Sequence, residues 1–404
     1  MHPPLLMLVL VALLAGCHQI AGYEPAQAPD AAESADVIAD GQPTVYDVMA
    51  ADLGAPCEGA SYPRCESDCA AIVCQNGYEE HIPCFLGCVG SEPIRCLHPS
   101  NIPLNFEGLE ATVGNTAIQG GTVIFDTATG KIFTPGMIIR PAGEGVLKDI
   151  GFTVVHQPTT NMTDPPPLGV FVFGDLTIAS GTTFKLIGRN AAVLLSSARV
   201  TIEGTIDVAA DLAMPGPGGY AGGPPNGNGA GPCAGGKGQA ELDVYSPPDI
   251  AGCSSGSGGG GHGAIGGEGG ACSCPESSLS KSLNAGSAGS VCGTAELIPL
   301  MGGSSGAGGV DIFSDPPPLG AEASVPGKGG GGGGALQISA RDAIEIRTGA
   351  MLSAGGGGGG QTQSGGGSGG GAGGAILLEA PTVSIASGVM LAANGGGGGA
   401  GDCS

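Results

Sequence analysis

The stretch ISARDAIEIRTGAML, Ile338 to Leu352, decides the fold. Its apolar residues Ile338, Ile344, Ile346, Ala350 and Leu352 stand at offsets 0, 6, 8, 12 and 14. The same offsets select Val170, Leu176, Ile178, Thr182 and Phe184, then Leu194, Val200, Ile202, Ile206 and Val208. They select a fourth set in Leu377, Val383, Ile385, Val389 and Leu391. Gly181, Gly349 and Gly388 share offset 11, and Gly204 stands one place early. Ile344 and Ile346, two apart, lie on one face of a strand, with Glu345 on the other. Three such short strands per copy make one coil of chain, whose inward face stays wet until the next coil stacks on it. The spacing therefore predicts an all-β fold, a parallel β-helix or solenoid, over residues 170–404. Thr177, Thr201, Glu345 and Ser384 are its outward positions.

Long glycine-rich insertions interrupt the coils at 212–334, 355–374 and 395–404. Corner loops lengthen at little entropic cost per added residue. Glycine content of this kind suits either tracts that hang free or extended threefold strands that pack. Asp-Pro-Pro-Pro-Leu-Gly occurs at 164–169 and again at 315–320, a stiff extended turn. Residues 99–169 read as a β-rich cap. Within it, 122–126 and 131–133 form a hairpin about 128–130, and 137–140 and 152–155 are further strands.

Composition agrees. The chain has 82 glycines, no Trp and 4% aromatics, so aliphatic strands between glycine loops replace an aromatic core. With 13 basic and 36 acidic residues, the net charge of −23 repels phosphate backbones and excludes nucleic acid as a partner.

The N-terminus supplies an address. Leu5 to Leu14 is an apolar run with the length of a signal-peptide core, too short to span a bilayer. Leu14-Ala15-Gly16-Cys17 follows and resembles the bacterial lipobox, at which the peptide is cut and the cysteine acylated. Residues 1–17 are read as a lipoprotein signal peptide with Cys17 the lipidated residue, although Met1 to Pro4 carry no Lys or Arg. Several acyl chains on one residue hold a protein firmly to a membrane. By analogy with well-studied bacteria, His18 in place of Asp favours the outer membrane. Residues 18–56 lack Lys and Arg and are expected to form a disordered acidic tether.

Residues 57–98 hold Cys57, Cys65, Cys69, Cys74, Cys84, Cys88 and Cys96. Export implies an oxidising compartment, so these read as disulfides stapling a small module, not as a zinc site. Cys233, Cys253, Cys272, Cys274 and Cys292 are further disulfide candidates. Thirteen cysteines remain beyond Cys17 (14 − 1), so one thiol is left over, and Cys403 is the expected one.

Lipobox, cysteine cluster ending near Cys96-Leu97-His98-Pro99-Ser100-Asn101, then rungs and polyglycine: this order resembles a group of predicted surface lipoproteins of myxobacteria and their relatives. The resemblance spans most of the chain. It implies export and a β-helix and carries no known activity, so no functional residues transfer.

A search for chemistry finds little. Gly-x-Ser-x-Gly occurs at 252–256, 302–306 and 366–370, without the helix and histidine a nucleophile elbow needs. The tract 355–374 has no acid and cannot be a calcium repeat. His262 reads as a solvated loop residue. No catalytic, metal or cofactor site is expected. The expected role is structural, adhesive or interactive at the cell surface, with an envelope polysaccharide or surface protein as partner. The alternative is a carbohydrate-active β-helix enzyme, a lyase or hydrolase. Radioactive fatty acid fed to producing cells should label the chain, and Cys17→Ala should abolish that label.

Overall fold

A computed structural model describes residues 56–57, 64–67, 70–75, 77–89, 95–96, 98–103, 113–157, 164–243, 251–273, 282–311, 326–362 and 365–399. The expected signal peptide with Cys17, residues 18–55 of the tether, Cys69, Cys274, Cys403 and the second DPPPLG copy lie outside them. The described residues are all-β, with no helix among them. Two compact units divide the chain, one over 16–97 and the other over 98–404 with 1–15.

The smaller unit has too few apolar residues for a large core and relies on covalent links. Arg64–Ser67, Ala70–Gln75 and Tyr78–Pro83 form an antiparallel sheet, and Cys88–Val89 pairs with Arg95–Cys96. Cys57–Cys74 and Cys65–Cys88 are disulfides, and Cys84 is also disulfide-bonded. Ile72, Phe85 and Leu86 are buried around them. This unit ends at Leu97, one residue before the expected boundary.

In the larger unit each of the four repeats contributes one strand to each of three sheets. The first strands are Leu168–Phe173, Ala191–Ser196, Ala335–Ala340 and Ala375–Glu379. They pair in parallel in that order. The second strands, Leu176–Ile178, Arg199–Ile202, Ala343–Ile346 and Val383–Ile385, do the same. So do the third, Thr182–Ile187, Thr205–Asp207, Met351–Ser353 and Met390–Ala392. Repeats two and three are adjacent in all three sheets, although residues 212–334 separate them in sequence. The inward side chains of all three sheets meet in one cluster that includes Phe184, Leu194, Ile202, Ile206, Ile344 and Leu352. Full burial of an aliphatic side chain contributes about 1.5–3 kcal/mol, so this shared interior is the main cohesive term.

The register corrects the sequence template in two places. Phe171, not Val170, pairs with Leu194 and points inward, and Leu378, not Leu377, pairs with Ile338. The corner from first to second strand is one residue shorter in repeats one and four, and a one-residue slip turns a side chain to the other face. In repeat two, Ile206 pairs with Phe184 rather than Thr182, because the corner around Gly204 is two residues shorter. Val170 and Leu377 are buried nonetheless, on the outer face of the first sheet. Leu176, Val200, Ile344 and Val383 fall in register as expected, as do the outward Thr177, Thr201, Glu345 and Ser384.

The segment before the repeats does more than cap. Thr116–Ile118 and Gly121–Asp126 pair in parallel with the second and third strands of repeat one, a partial extra repeat. Antiparallel strands then extend two of the sheets at that end: Ile132–Thr134 and Met137–Arg140 on the third, Gly145–Leu147 and Ile150–Val155 on the first. Arg140 is wholly buried there and donates to the carbonyls of Gly130, Pro141, Gly145 and Ile150 at 2.7–3.0 Å. Its guanidinium lies over Phe152, 5.4 Å from the ring centroid.

Ile344→Ala should lower unfolding free energy by about 2–5 kcal/mol, the range for a large-to-small change in a packed core. Thr177→Ala should change it by less than about 0.5 kcal/mol, as surface substitutions do. Denaturant titration followed by circular dichroism compares the two.

Candidate functional site: a threefold glycine bundle

The glycine tracts are packed, and their hydrogen bonds reveal how. From Ser255 to Gly261 successive N–H groups turn to three different neighbours in rotation. Those of Ser255, Gly258 and Gly261 donate to Gln239, Gly236 and Cys233. Gly256 and Gly259 donate to Gly270 and Gly267, while Ser257 and Gly260 donate to Gly367 and Gly370. A partner that changes with every residue and returns after three belongs to a chain with three residues per turn. That is the left-handed extended helix, which has no internal hydrogen bonds and leaves every N–H free for a neighbour. Partner numbers fall by three along two neighbours and rise by three along the other, so antiparallel and parallel contacts coexist.

Residues 302–309 lie at the centre. They donate to Gly218, 227–230, 327–333 and 258–261, and accept from Tyr220, Gly223 and Asn226, from Gly235, and from Gly369 and Ala372. Six passes of chain thus surround one, and Met301 to Val310 are all buried. Serine and alanine fit at 304, 305 and 307, but the glycine positions leave no room for a side chain: a Cβ on Gly306 would sit inside the carbonyl of Gly369. Glycine here is a steric requirement, and it loses more conformational freedom on ordering than any other residue.

Sequence-predicted residues find their places around this bundle. Cys233–Cys292 is a disulfide and Cys253 is disulfide-bonded. Cys272, expected to pair, is a free and buried thiol. Ser304 and Ser368, the centres of two Gly-x-Ser-x-Gly matches, are buried and accept hydrogen bonds from the N–H groups of Cys233 and Gly309. Neither is presented to a substrate. His262, read as solvated, is instead 5% exposed. Burial holds its pKa below the usual histidine range, against a weaker opposing hydrogen bond to the Met301 backbone. Its Nε2 has no partner among the described residues. Nothing in the glycine run around it betrays this burial, which comes from chains far away in sequence.

A polar strap joins bundle and sheets. Asn101 donates to Leu297 O and Gln337 Oε1, and Leu300 N donates to Asn101 and Gln157. Glu379 accepts from Ser100 N, Ser100 Oγ, Gln337 and Ser339. Burial raises its pKa above the ordinary carboxylate value, and those four donors act in the opposite direction. Gln337, Ser339 and Glu379 lie on the outer face of the first sheet beside the buried Val193, Leu195 and Leu377, and Ser100 and Asn101 supply their partners there.

Outward acids on the second sheet are ion-paired. Arg199 and Arg347 both reach Glu345, at 3.1 and 3.2 Å, and Arg347 reaches Glu203 at 2.8 Å. Glycoside cleavage needs one desolvated acid and a second carboxylate across the scissile bond. Among the described residues the desolvated acid is Glu379, and it is enclosed by its four hydrogen bonds. Among the described residues, no three His, Cys, Asp or Glu side chains cluster to hold a metal. Comparison with family models, curated proteins and solved structures finds no match.

Gly306→Ala should disrupt the bundle, lowering unfolding free energy by more than about 2 kcal/mol, as backbone incompatibility and overpacking do. Gly267→Ala, where a Cβ meets nothing within 4 Å, should leave the melting midpoint unchanged. Calorimetry of both variants decides whether glycine is sterically required at the centre alone.

Proposed function

We propose that the chain is a lipid-anchored bacterial surface protein, with a parallel β-helix as body and the glycine bundle as a rigid display surface. Three sheets, each with one strand from every repeat in parallel register, are what a helical path of chain produces, and they support the β-helix reading. Cys17 holds the protein to the outer membrane, and residues 18–56 lift it away from the lipid. The role is structural, adhesive or interactive, toward an envelope polysaccharide or another surface protein. The bundle carries this reading. Its cost in ordered glycine is large, and the serines within it serve its own hydrogen bonds, so the chemistry it offers outward is shape and backbone polarity.

The experiment uses intact producing cells and a membrane-impermeant biotin reagent. The wild-type chain should be labelled and retained on the cells, and Cys17→Ala should be lost from them. A chain reached by the reagent only after lysis would overturn the surface assignment. Release of oligosaccharides from an envelope polysaccharide by the purified protein would overturn the non-enzymatic role.

A further inference from the structure

His262 stands where four passes of the glycine bundle meet. Its carbonyl accepts from the N–H groups of both Cys292 and Gly293, at 3.0 and 3.1 Å. The preceding Gly261 donates to the Cys233 carbonyl and accepts from Ser304 N, while Cys233 N donates to Ser304 Oγ. The Cys233–Cys292 disulfide closes the same circle. Because that bridge keeps Cys292 beside Cys233, this corner opens by parting 262 from 292–293.

The imidazole is sealed into the junction with nowhere to put a second proton. It is hydrogen-bonded to the Met301 backbone, and its Nε2 has no partner among the described residues. A Cβ added at Gly293 would stand 3.2 Å from Nε2 and 3.4 Å from both neighbouring ring carbons, so the tip of the ring is aimed at that glycine. The N–H of Gly293 is already given to the His262 carbonyl. A neutral ring tolerates the position. An imidazolium brings two donors and a charge, and a buried charge without a partner is far costlier than a buried neutral ring.

No opposite charge offsets this cost. Cys233, Cys292, Gly293, Met301 and Ser304 are uncharged at the junction. Lys237, Glu268 and Glu296, on the passes packed against it, are exposed. Tyr220, on the pass bonded to Gly303, is kept neutral by burial and by Asp164. Water, however, is close. Ile265 is 71% and Val291 51% exposed on the outside of the same corner. The next ties inward are Gly266 N to Gly289 O and Gly289 N to Gly259 O, so a local opening delivers the ring to solvent without unmaking the central pass.

We propose that His262 is an acid-operated catch: when its ring takes a second proton, 262–266 part from 292–293 and uncover Met301 and Ser304, the buried start of the central pass. The bundle thereby offers one surface at neutral pH and another in acid. As regulation of a displayed surface this rests on the function proposed above; the opening itself is a property of the purified chain. A ring that resists protonation when closed takes up its proton on opening. The corner is therefore fully held above the ordinary histidine value of about 6.5 and loosens as pH falls below it.

Hydrogen exchange of the full mature chain in mild detergent, read by mass spectrometry and corrected for the intrinsic rate at each pH, measures the catch. Amides of 286–293 should lose about tenfold in protection for each pH unit below about 6.5, the slope for one proton taken up per opening. Amides of 192–196 and 336–340, in the first sheet, should keep theirs. His262→Gln retains a donor for Met301 and cannot titrate, so it should flatten the dependence. Should that variant leave the corner open at every pH, the unsubstituted chain still decides. Deuterium uptake at its His262 ring carbon Cε1 reports the titration, which should lie below the ordinary value. Protection of 286–293 that does not change with pH, a fall that persists in His262→Gln, or a ring that titrates at the ordinary value overturns the proposal. None of these outcomes touches the surface assignment, which fails on labelling of intact cells alone.

Discussion

Backbone pairing between successive passes of chain is the constraint on which the larger unit depends. A chain this poor in aromatic residues has few bulky side chains with which to bury its peptide groups, and a buried peptide group without a partner is costly. Strands answer the problem in two directions, giving each peptide a neighbour above and below. The glycine chains answer it in three, since a threefold helix turns its N–H groups around the whole circumference. Both solutions operate side by side, and the chain passes from one to the other at the end of each of the last three repeats.

The two solutions put opposite demands on sequence. Strands need β-branched and aliphatic residues at alternate positions, so that one face dries when levels stack. The threefold chains need the side chain to be small or, where two passes touch, absent, because a methyl group at Gly306 would occupy the place of the Gly369 carbonyl. This is why the composition is divided so sharply between Val, Ile and Leu on one side and glycine on the other.

That division made one half of the fold readable and concealed the other. Ile344 with Ile346 and Val200 with Ile202 announce strands because alternation is a local property. The same template misplaced Val170, Leu377 and Ile206, since corner length decides which face a residue takes and nothing local records it. The glycine tracts carry no alternation at all, so their order could not be read: Gly306 is fixed by partners near 223, 330 and 369. The burial of His262 and Ser304 was hidden for the same reason. Glu379 gave no sign in sequence either, because the donors that surround it come from Ser100, Gln337 and Ser339.

The centre of the bundle has a consequence for how the molecule is made. Residues 302–309 touch chain on both sides of themselves, from 220 to 372, with the insertion's own loops between. Contacts so distant in sequence are slow to form, because the entropy of closing each loop is lost before any contact rewards it. The middle cannot be enclosed during synthesis while residues up to 372 are still unmade. Completion belongs after residues 220–372 have all been made, when every pass that encloses the middle is present.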